Sequence, residues 1–304
     1  MNSESSQDFN RALILQQLRQ IKICSRVQLA RKTGLKQATI TNIVNDFIQW
    51  GLVRETGALE GEKGRRSIGI SLDAERHCVI GVRLTRKDVL IGVFNIAGAE
   101  LFEKREQLSI EEGSEAAVQK IKEIIDRSIS DQGESFPLGI GFAIPGPYFR
   151  EEGRIALMTE FPGWERLQIK REFESAFSIP VFFEHDANAA AIAEWWFGPH
   201  RREEGTMLCV AAGQGIGAGI VVDGNLIHGS LGIAGEIGHM SIDYQGPRCL
   251  CGNRGCLEQY CSTLAIIRKI QMGIGLADDR ENTRNLTFED VRLAVAKGDD
   301  AAIK

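Results

Sequence analysis

At Cys78 the hydrophobic pattern of this chain changes period, and the change separates a helical head from a long α/β body. In the head, Phe9, Leu13, Leu18 and Ile21, with Ile14 beside them, make the stripe of a first helix over residues 9–21. Ser25-Arg26-Val27-Gln28 then has the form of a capping box, in which the serine hydroxyl takes a backbone N–H and the glutamine reaches back. The short helix it opens ends before Thr33-Gly34-Leu35, where the glycine permits a tight turn. A third helix runs from about Lys36 to Trp50, stopped by Gly51, with Ile40, Ile43, Val44, Phe47 and Ile48 as its buried face. Residues 52–56, a glycine-rich tip over 57–64 and residues 65–70 read as strand, loop and strand. Three helices with a glycine turn between the second and third, followed by a β-hairpin, predict a winged helix-turn-helix domain over residues 1–71.

Charge supports that division. Residues 1–66 hold 11 Lys/Arg against 6 Asp/Glu, whereas the remainder holds 25 against 35. A basic head on an acidic body predicts that the head meets a polyanion and the body does not. The outer face of the third helix offers Lys36, Gln37, Thr41, Asn42 and Asn45, and the hairpin tip carries Lys63, Arg65 and Arg66. Gln and Asn can bridge the adenine edge, and Thr can touch a thymine methyl or a phosphate. Arginines on a hairpin tip suit phosphates or a narrow minor groove. The expected partner is a palindromic DNA operator, bound by a homodimer or higher homo-oligomer with recognition helices in successive major grooves. A trihelical protein-interaction module would share the helices, but not the joint occurrence of capping box, glycine turn, basic bias and wing.

The full 304 residues are 43% hydrophobic and 25% charged, the balance of a soluble globular chain and not of a disordered or collagen-like one. No apolar run approaches the roughly 20 residues of a membrane helix. Residues 1–8 are polar and acidic, unlike a secretory signal, so a cytoplasmic location with no membrane partner is expected.

The body alternates strands and helices. Residues 79–84 and 89–94 read as strands joined by a tight turn, with a third at 100–107 and an amphipathic helix at 114–130. A buried strand at 138–144 ends in Pro145-Gly146-Pro147, and a helix over about 165–177 precedes the strand Val181-Phe182-Phe183. That strand delivers Glu184-His185-Asp186-Ala187-Asn188 at its C-terminal end, ahead of a helix over 189–197. In open α/β sheets ligands sit at such strand ends. A strand at 207–212 runs into Gly213-Gln214-Gly215-Ile216-Gly217-Ala218-Gly219, whose alternate glycines suit either close approach to an anion or a plain strand turn.

Cys249, Cys251 and Cys256 follow His239 within 17 residues. One imidazole and three thiolates form a closed tetrahedral set for a structural Zn2+, and Gly252 and Gly255 let the loop fold back so that the thiolates converge. Four reduced side chains without metal are the alternative. An odd total of seven cysteines argues for metal or free thiols over disulfides, with Cys261 left as a core thiol. His77, His200 and His228 read as surface or strand-end residues, not ligands.

Glu184–Asn188, the glycine loop with Asp223-Gly224, Ala234–His239 and Cys249–Glu258 together resemble the ROK family of repressors, open reading frames and sugar kinases. The head joined through Gly64-Arg65-Arg66 resembles the family's repressor branch, of the xylose-repressor and N-acetylglucosamine-repressor type. The resemblance covers the chain from Asn10 onward. It implies an actin-like, ribonuclease-H-like two-lobed domain over residues 72–304, with a zinc loop near 239–258 and sugar held in the interlobe cleft. Asp186 matches the sugar-binding position that is the catalytic base in the kinases. Glu236, His239 and Glu258 match sugar-hydroxyl contacts, and His185 stands where kinases carry Asn, as in the repressors.

Family kinases place Asp-x-Gly-Gly-Thr between the first two strands, where the glycines admit the ATP phosphates. Here the positions are Arg83, Leu84, Thr85, Arg86 and Lys87, so a cation and bulky side chains fill that space. Phosphoryl transfer is mostly positioning and charge stabilisation, and the chain is expected to be no enzyme. The expectation is a repressor of carbohydrate-utilisation genes, xylose metabolism among them, with a sugar or sugar-phosphate inducer. The alternatives are an ATP-dependent sugar kinase bearing a DNA-binding head and a degenerate form that binds neither ligand. Family chains continue beyond the point where this one stops, so its C-terminal part reads as truncated.

Overall fold

The capping box predicted at Ser25 is present in the computed structural model, which describes residues 3–59, 67–133, 135–146, 148–155, 162–199, 204–273 and 286–298. Gln28 N–H donates to Ser25 Oγ at 3.3 Å and Ser25 N–H to Gln28 Oε1 at 2.8 Å, which opens helix α2 (Arg26–Thr33). Gly34, at φ 70°, closes it by donating to Ala30 O. Helix α1 (Ser3–Ile21) precedes it and α3 (Gln37–Gln49) follows. Ile40, Ile43, Val44 and Phe47 are buried as expected, with Ile48 packed at the margin of the same core.

The stripe assigned to α1 is corrected. Phe9 is 65% exposed, and the buried line runs through Ile14, Gln17 and Leu18, because the core it meets is built from α2, α3 and the hairpin. That hairpin is β2 (Val53–Leu59) with β3 (Ser67–Leu72), and β3 also pairs with β1 (Cys24–Ser25), Cys24 facing Ile70. The head is therefore three helices on a three-stranded sheet in the order β1-β3-β2.

The chain divides into two compact units, Met1–Pro145 with Gly153–Phe183 and Gly146–Glu152 with Glu184–Lys304. In the first unit, β4 (His77–Leu84), β5 (Asp88–Asn95) and β6 (Glu100–Gln107) form an antiparallel meander. Helix α4 (Gly113–Ser130) then leads to β7 (Phe136–Ile144), parallel to β4, and β10 (Val181–His185) takes the edge beside β7. The sheet order is β10-β7-β4-β5-β6; of the two-residue strands that follow β7, β8 (Tyr148–Phe149) belongs to the second unit and β9 (Arg154–Ile155) to the first.

The helix expected at 165–177 is split into a 3-10 turn at Trp164–Arg166 and α5 (Ile169–Glu174). Trp164 and Ile169 are both fully buried. Five residues apart on one continuous helix they would face opposite sides, so the extended Leu167 resets the phase.

In the second unit, α6 (Asp186–Phe197) packs on β11 (Thr206–Ala212) and β12 (Ile216–Val222) through Ala191, Trp195 and Val221. Strand β13 (Asn225–Leu226) completes the order β11-β12-β13. Only residues 213–215 of the glycine run are a turn; Gly217 and Gly219 lie within β12, opposite Ala211 and Cys209. A Cβ on Gly219 would strike Ala191 Cβ and Ala187 O, so this glycine serves helix–strand packing. Helices α7 (Glu258–Cys261) and α8 (Thr263–Gly273) follow, then a helix at Phe288–Ala296. Among the described residues no helix is long and apolar enough to cross a membrane.

Candidate functional site

Strand β10 stays extended through His185 (φ −61°, ψ 140°), and the helix starts at Asp186, three residues earlier than the sequence predicts. A carboxylate in the first helical turn meets the positive end of the helix dipole, which favours that start. The two side chains leave the junction together, His185 Nε2 lying 3.3 Å from Asp186 Oδ1. Glu236, just before a 3-10 turn at Ile237–His239, brings Oε1 to 3.9 Å from His185 Nε2 and Oε2 to 4.0 Å from His239 Nε2. Glu258, first residue of α7, is held by the Ile216 backbone N–H at 2.9 Å.

Burial pushes the Glu236 carboxyl above the ordinary carboxylate range; the His185 and His239 imidazoles draw it back, and the Asp186 and Glu258 carboxylates add to the rise. All five residues singled out in the sequence thus converge in the second unit. Three carboxylates and two imidazoles offer an array of acceptors and switchable donors for hydroxyl groups.

Sequence reasoning missed the support beneath this cluster. Glu184 receives Asn188 Nδ2 and the His185 N–H on Oε1, both at 3.0 Å, and meets His228 Nε2 and Arg150 Nη2 on Oε2, both at 2.9 Å. Burial alone would raise this carboxyl, but the bonds from Asn188, His228 and the backbone outweigh it and hold the group below its usual range. His228, read from the sequence as a surface or strand-end residue, anchors its loop to the strand carrying His185. Its position 44 residues from Glu184 left no periodic signal.

The same His239 ring turns its other nitrogen to the cysteines. Nδ1 lies 3.6 Å from Cys249 Sγ, and Cys251 Sγ lies 3.7 Å from Cys256 Sγ. All four ligand atoms fall within 4.8 Å of one another, so this set could hold a metal ion. A tetrahedral centre with Zn–S near 2.3 Å and Zn–N near 2.0–2.1 Å requires S···S and S···N separations of roughly 3.5–3.8 Å, which the His239–Cys249 and Cys251–Cys256 pairs match. Gly255, at φ 63°, makes the fold-back possible, since a Cβ there would strike Asp243 O. Gln259 Nε2 donates to Cys249 Sγ at 3.6 Å. Cys261, expected in the core, is exposed: α7 turns it outward, its thiol donating to Leu257 O in its own helix turn at 3.3 Å.

In the head, Lys36, Gln37, Asn42 and Asn45 are exposed on α3, and Lys36 caps the helix without a side-chain bond. The first turn of α3 thus keeps unsatisfied N–H groups, suited to phosphate. Thr41 donates to Gln37 O at 2.9 Å. Asn45 is less free than its place suggests, because Arg26 Nη2 donates to its Oδ1 at 3.3 Å while also pairing with Glu55 at 3.1 Å. Lys63, Arg65 and Arg66, like His200, lie outside the described residues.

The turn between β4 and β5 is closed by its own side chains. Thr85 Oγ1 accepts the Lys87 and Asp88 N–H groups at 3.2 and 3.0 Å and donates to Asp88 Oδ1 at 2.9 Å; Arg105 pairs with Asp88 at 3.1 Å. The Thr85, Lys87 and Asp88 N–H groups are thereby engaged within the turn itself.

The chain as a whole resembles known proteins. The xylose repressor of Caldicellulosiruptor bescii is 31% identical over 299 residues, 95% of this chain and 74% of that protein. A crystal structure of a ROK family transcriptional regulator, a homolog of the E. coli MLC protein, superposes with a TM-score of 0.74 at 28% identity, covering 92% of this chain and 71% of that one. A ROK hexokinase from Thermus thermophilus superposes with a TM-score of 0.60 at 30% identity, covering 74% of this chain and 71% of that one. The mixed α/β, actin-like architecture is common to these structures. With residues 79–304 matching the ROK family and the alignment to a repressor spanning nearly its whole length, the chain belongs to the ROK family.

Proposed function

We propose that this chain is a sugar-responsive transcriptional repressor of carbohydrate-utilisation genes. The observation that carries the reading is one of coverage. Likeness to a xylose repressor spans 95% of the chain and likeness to a ROK regulator 92%, whereas likeness to the hexokinase spans 74%. The three helices and hairpin of residues 1–71 act as a winged helix-turn-helix DNA-binding domain, and residues 72–304 as the sugar-binding domain. Gln37 and Asn42 read base edges, Lys36 and Thr41 contact phosphate or a thymine methyl, and Asn45 acts together with Arg26. Lys63, Arg65 and Arg66 hold the backbone beside the recognition helix. A homodimer on a palindromic operator is the expected assembly.

His185, Asp186, Glu236, His239 and Glu258 bind the hydroxyls of the inducer, for which xylose is the first candidate. Zn2+ held by His239, Cys249, Cys251 and Cys256 has a structural part: when bound it ties the loop before Glu258 to the His239 ring. Those residues orient the ring so that Nε2 faces Glu236. Asp186 accepts a hydroxyl hydrogen and drives no transfer, because Arg83–Lys87 and the closed Thr85 turn leave no phosphate cradle.

The retained Asp186 and the hexokinase likeness favour one other reading, a sugar kinase with an added DNA-binding head. Operator binding measured with and without xylose, beside ATP-dependent phosphorylation of the same sugar, separates the two. Sugar-released operator binding without turnover is the expected result; turnover without operator binding would overturn it.

A further inference from the structure

The metal loop carries an open groove of about 650 Å³ lined by Ser241, Tyr244, Arg248, Gly252, Asn253 and Arg254, together with Cys249. None of the carboxylate and imidazole side chains of the hydroxyl-binding cluster lines it. Arg248 and Arg254 face each other across an antiparallel β-bridge. Directly opposed residues have Cβ atoms about 4.5–5.5 Å apart on one face, so two like charges stand side by side in an arrangement that by itself destabilises the bridge.

Such a pair is ordinarily answered by a carboxylate. Among the described residues neither guanidinium has one: Arg254 donates to the Gly246 carbonyl at 3.4 Å, and the loop's own Asp243 is engaged by Gln245 N–H at 3.0 Å and Tyr260 OH at 3.3 Å. The loop cannot readily splay to part the charges. Arg248 precedes Cys249, Arg254 lies two residues before Cys256, and Ser241 OH binds the Arg254 carbonyl at 2.7 Å.

We infer that this groove is a binding site for a polyvalent anion, the phosphate group of a phosphorylated small molecule, clasped between Arg248 and Arg254. Guanidinium forks match phosphate oxygens two at a time, and a dianion neutralises both cations at once. The groove has the size of small-molecule sites, roughly 300–1,000 Å³. Tyr244, 80% exposed at its edge, offers a ring face to whatever the phosphate carries.

The test uses the full chain with its metal retained and inorganic phosphate as the probe, titrated at constant ionic strength against chloride and followed by calorimetry. Saturable binding is expected, weakened roughly tenfold in Arg248→Ala and partly restored in Arg248→Lys, which keeps the charge without the fork. Arg248 is the variant of choice because its guanidinium makes no bond within the described chain; zinc content and melting temperature confirm that the loop stays formed. Asp186→Asn should bind phosphate as the parent does, which keeps this site separate from the hydroxyl cluster. Absence of saturable binding in the parent, or equal affinity in Arg248→Ala, overturns the inference. So does a protein indifferent to phosphate whose Arg248→Ala variant lowers the salt dependence of DNA binding, which would make the pair a DNA contact.

Discussion

His239 and Cys249 stand 3.6 Å apart, Nδ1 to Sγ, and this contact turns the opposite edge of the imidazole toward Glu236. One ring therefore belongs to both the thiol cluster and the carboxylate cluster. When the other ring nitrogen is fixed, the tautomer and direction of the free one are fixed with it.

Metal removal should accordingly be felt at the sugar. Purified reduced protein is expected to carry one zinc per chain. Cys249→Ser should lose the metal and weaken sugar binding by about tenfold or more, since groups that orient a site commonly matter by 10–100-fold. Metal analysis beside a sugar titration checks both. Zinc-free variant protein with unchanged sugar affinity would separate the two clusters.

Asp186→Asn keeps the side-chain size but removes the charge and one acceptor from the array. The variant should fold and bind operator normally while losing the response to sugar, measured as DNA release across a sugar titration. Release at the parent's sugar concentration would remove Asp186 from the sensor.

On DNA, Gln37→Ala or Asn42→Ala should cost roughly 1–3 kcal/mol on the preferred operator and little on unrelated duplex. Arg65→Ala should weaken all duplexes alike and flatten the salt dependence. Gel-shift titrations at several salt concentrations distinguish these patterns. Deleting residues 1–70 should abolish binding altogether.

Acid should loosen the support beneath the cluster. The folded-state pKa of Glu184 lies below its unfolded value, through bonds from Asn188, His228 and the His185 N–H that outweigh burial. Its contribution is present above the unfolded carboxyl value, near 4.3, and is lost as pH falls through the lower folded value. Glu184→Gln should flatten that acidic limb in urea unfolding measured across it. An unaltered limb would place the acid sensitivity elsewhere.

Ser25→Ala removes the acceptor of one Gln28 bond and half of the reciprocal cap. A loss of about 1 kcal/mol is expected in the denaturant unfolding of the head. Ser25→Thr, which retains the hydroxyl, should recover most of it.

The sequence by itself determined those features whose partners lie within a few residues. The Ser25–Gln28 box, the Gly34 cap, the buried face of α3 and the thiol spacing from Cys249 to Cys256 are contacts of short separation, so spacing alone records them. Strand and helix alternation in the body was legible for the same reason. Only the tertiary structure decided which side of α1 turns inward, because the stripe of Phe9, Leu13, Ile14 and Leu18 allows more than one face and the packing of α2, α3 and β3 selects Ile14 and Leu18. Likewise nothing local tells Arg26 to hold Asn45 and Glu55, or Trp164 and Ile169 to break one helix into two. The clasp on Glu184 joins Arg150 from 34 residues before it and His228 from 44 after. Such pairs are chosen by where the sheets bring the chain together, and a pattern with a period of two or 3.6 residues carries no trace of them.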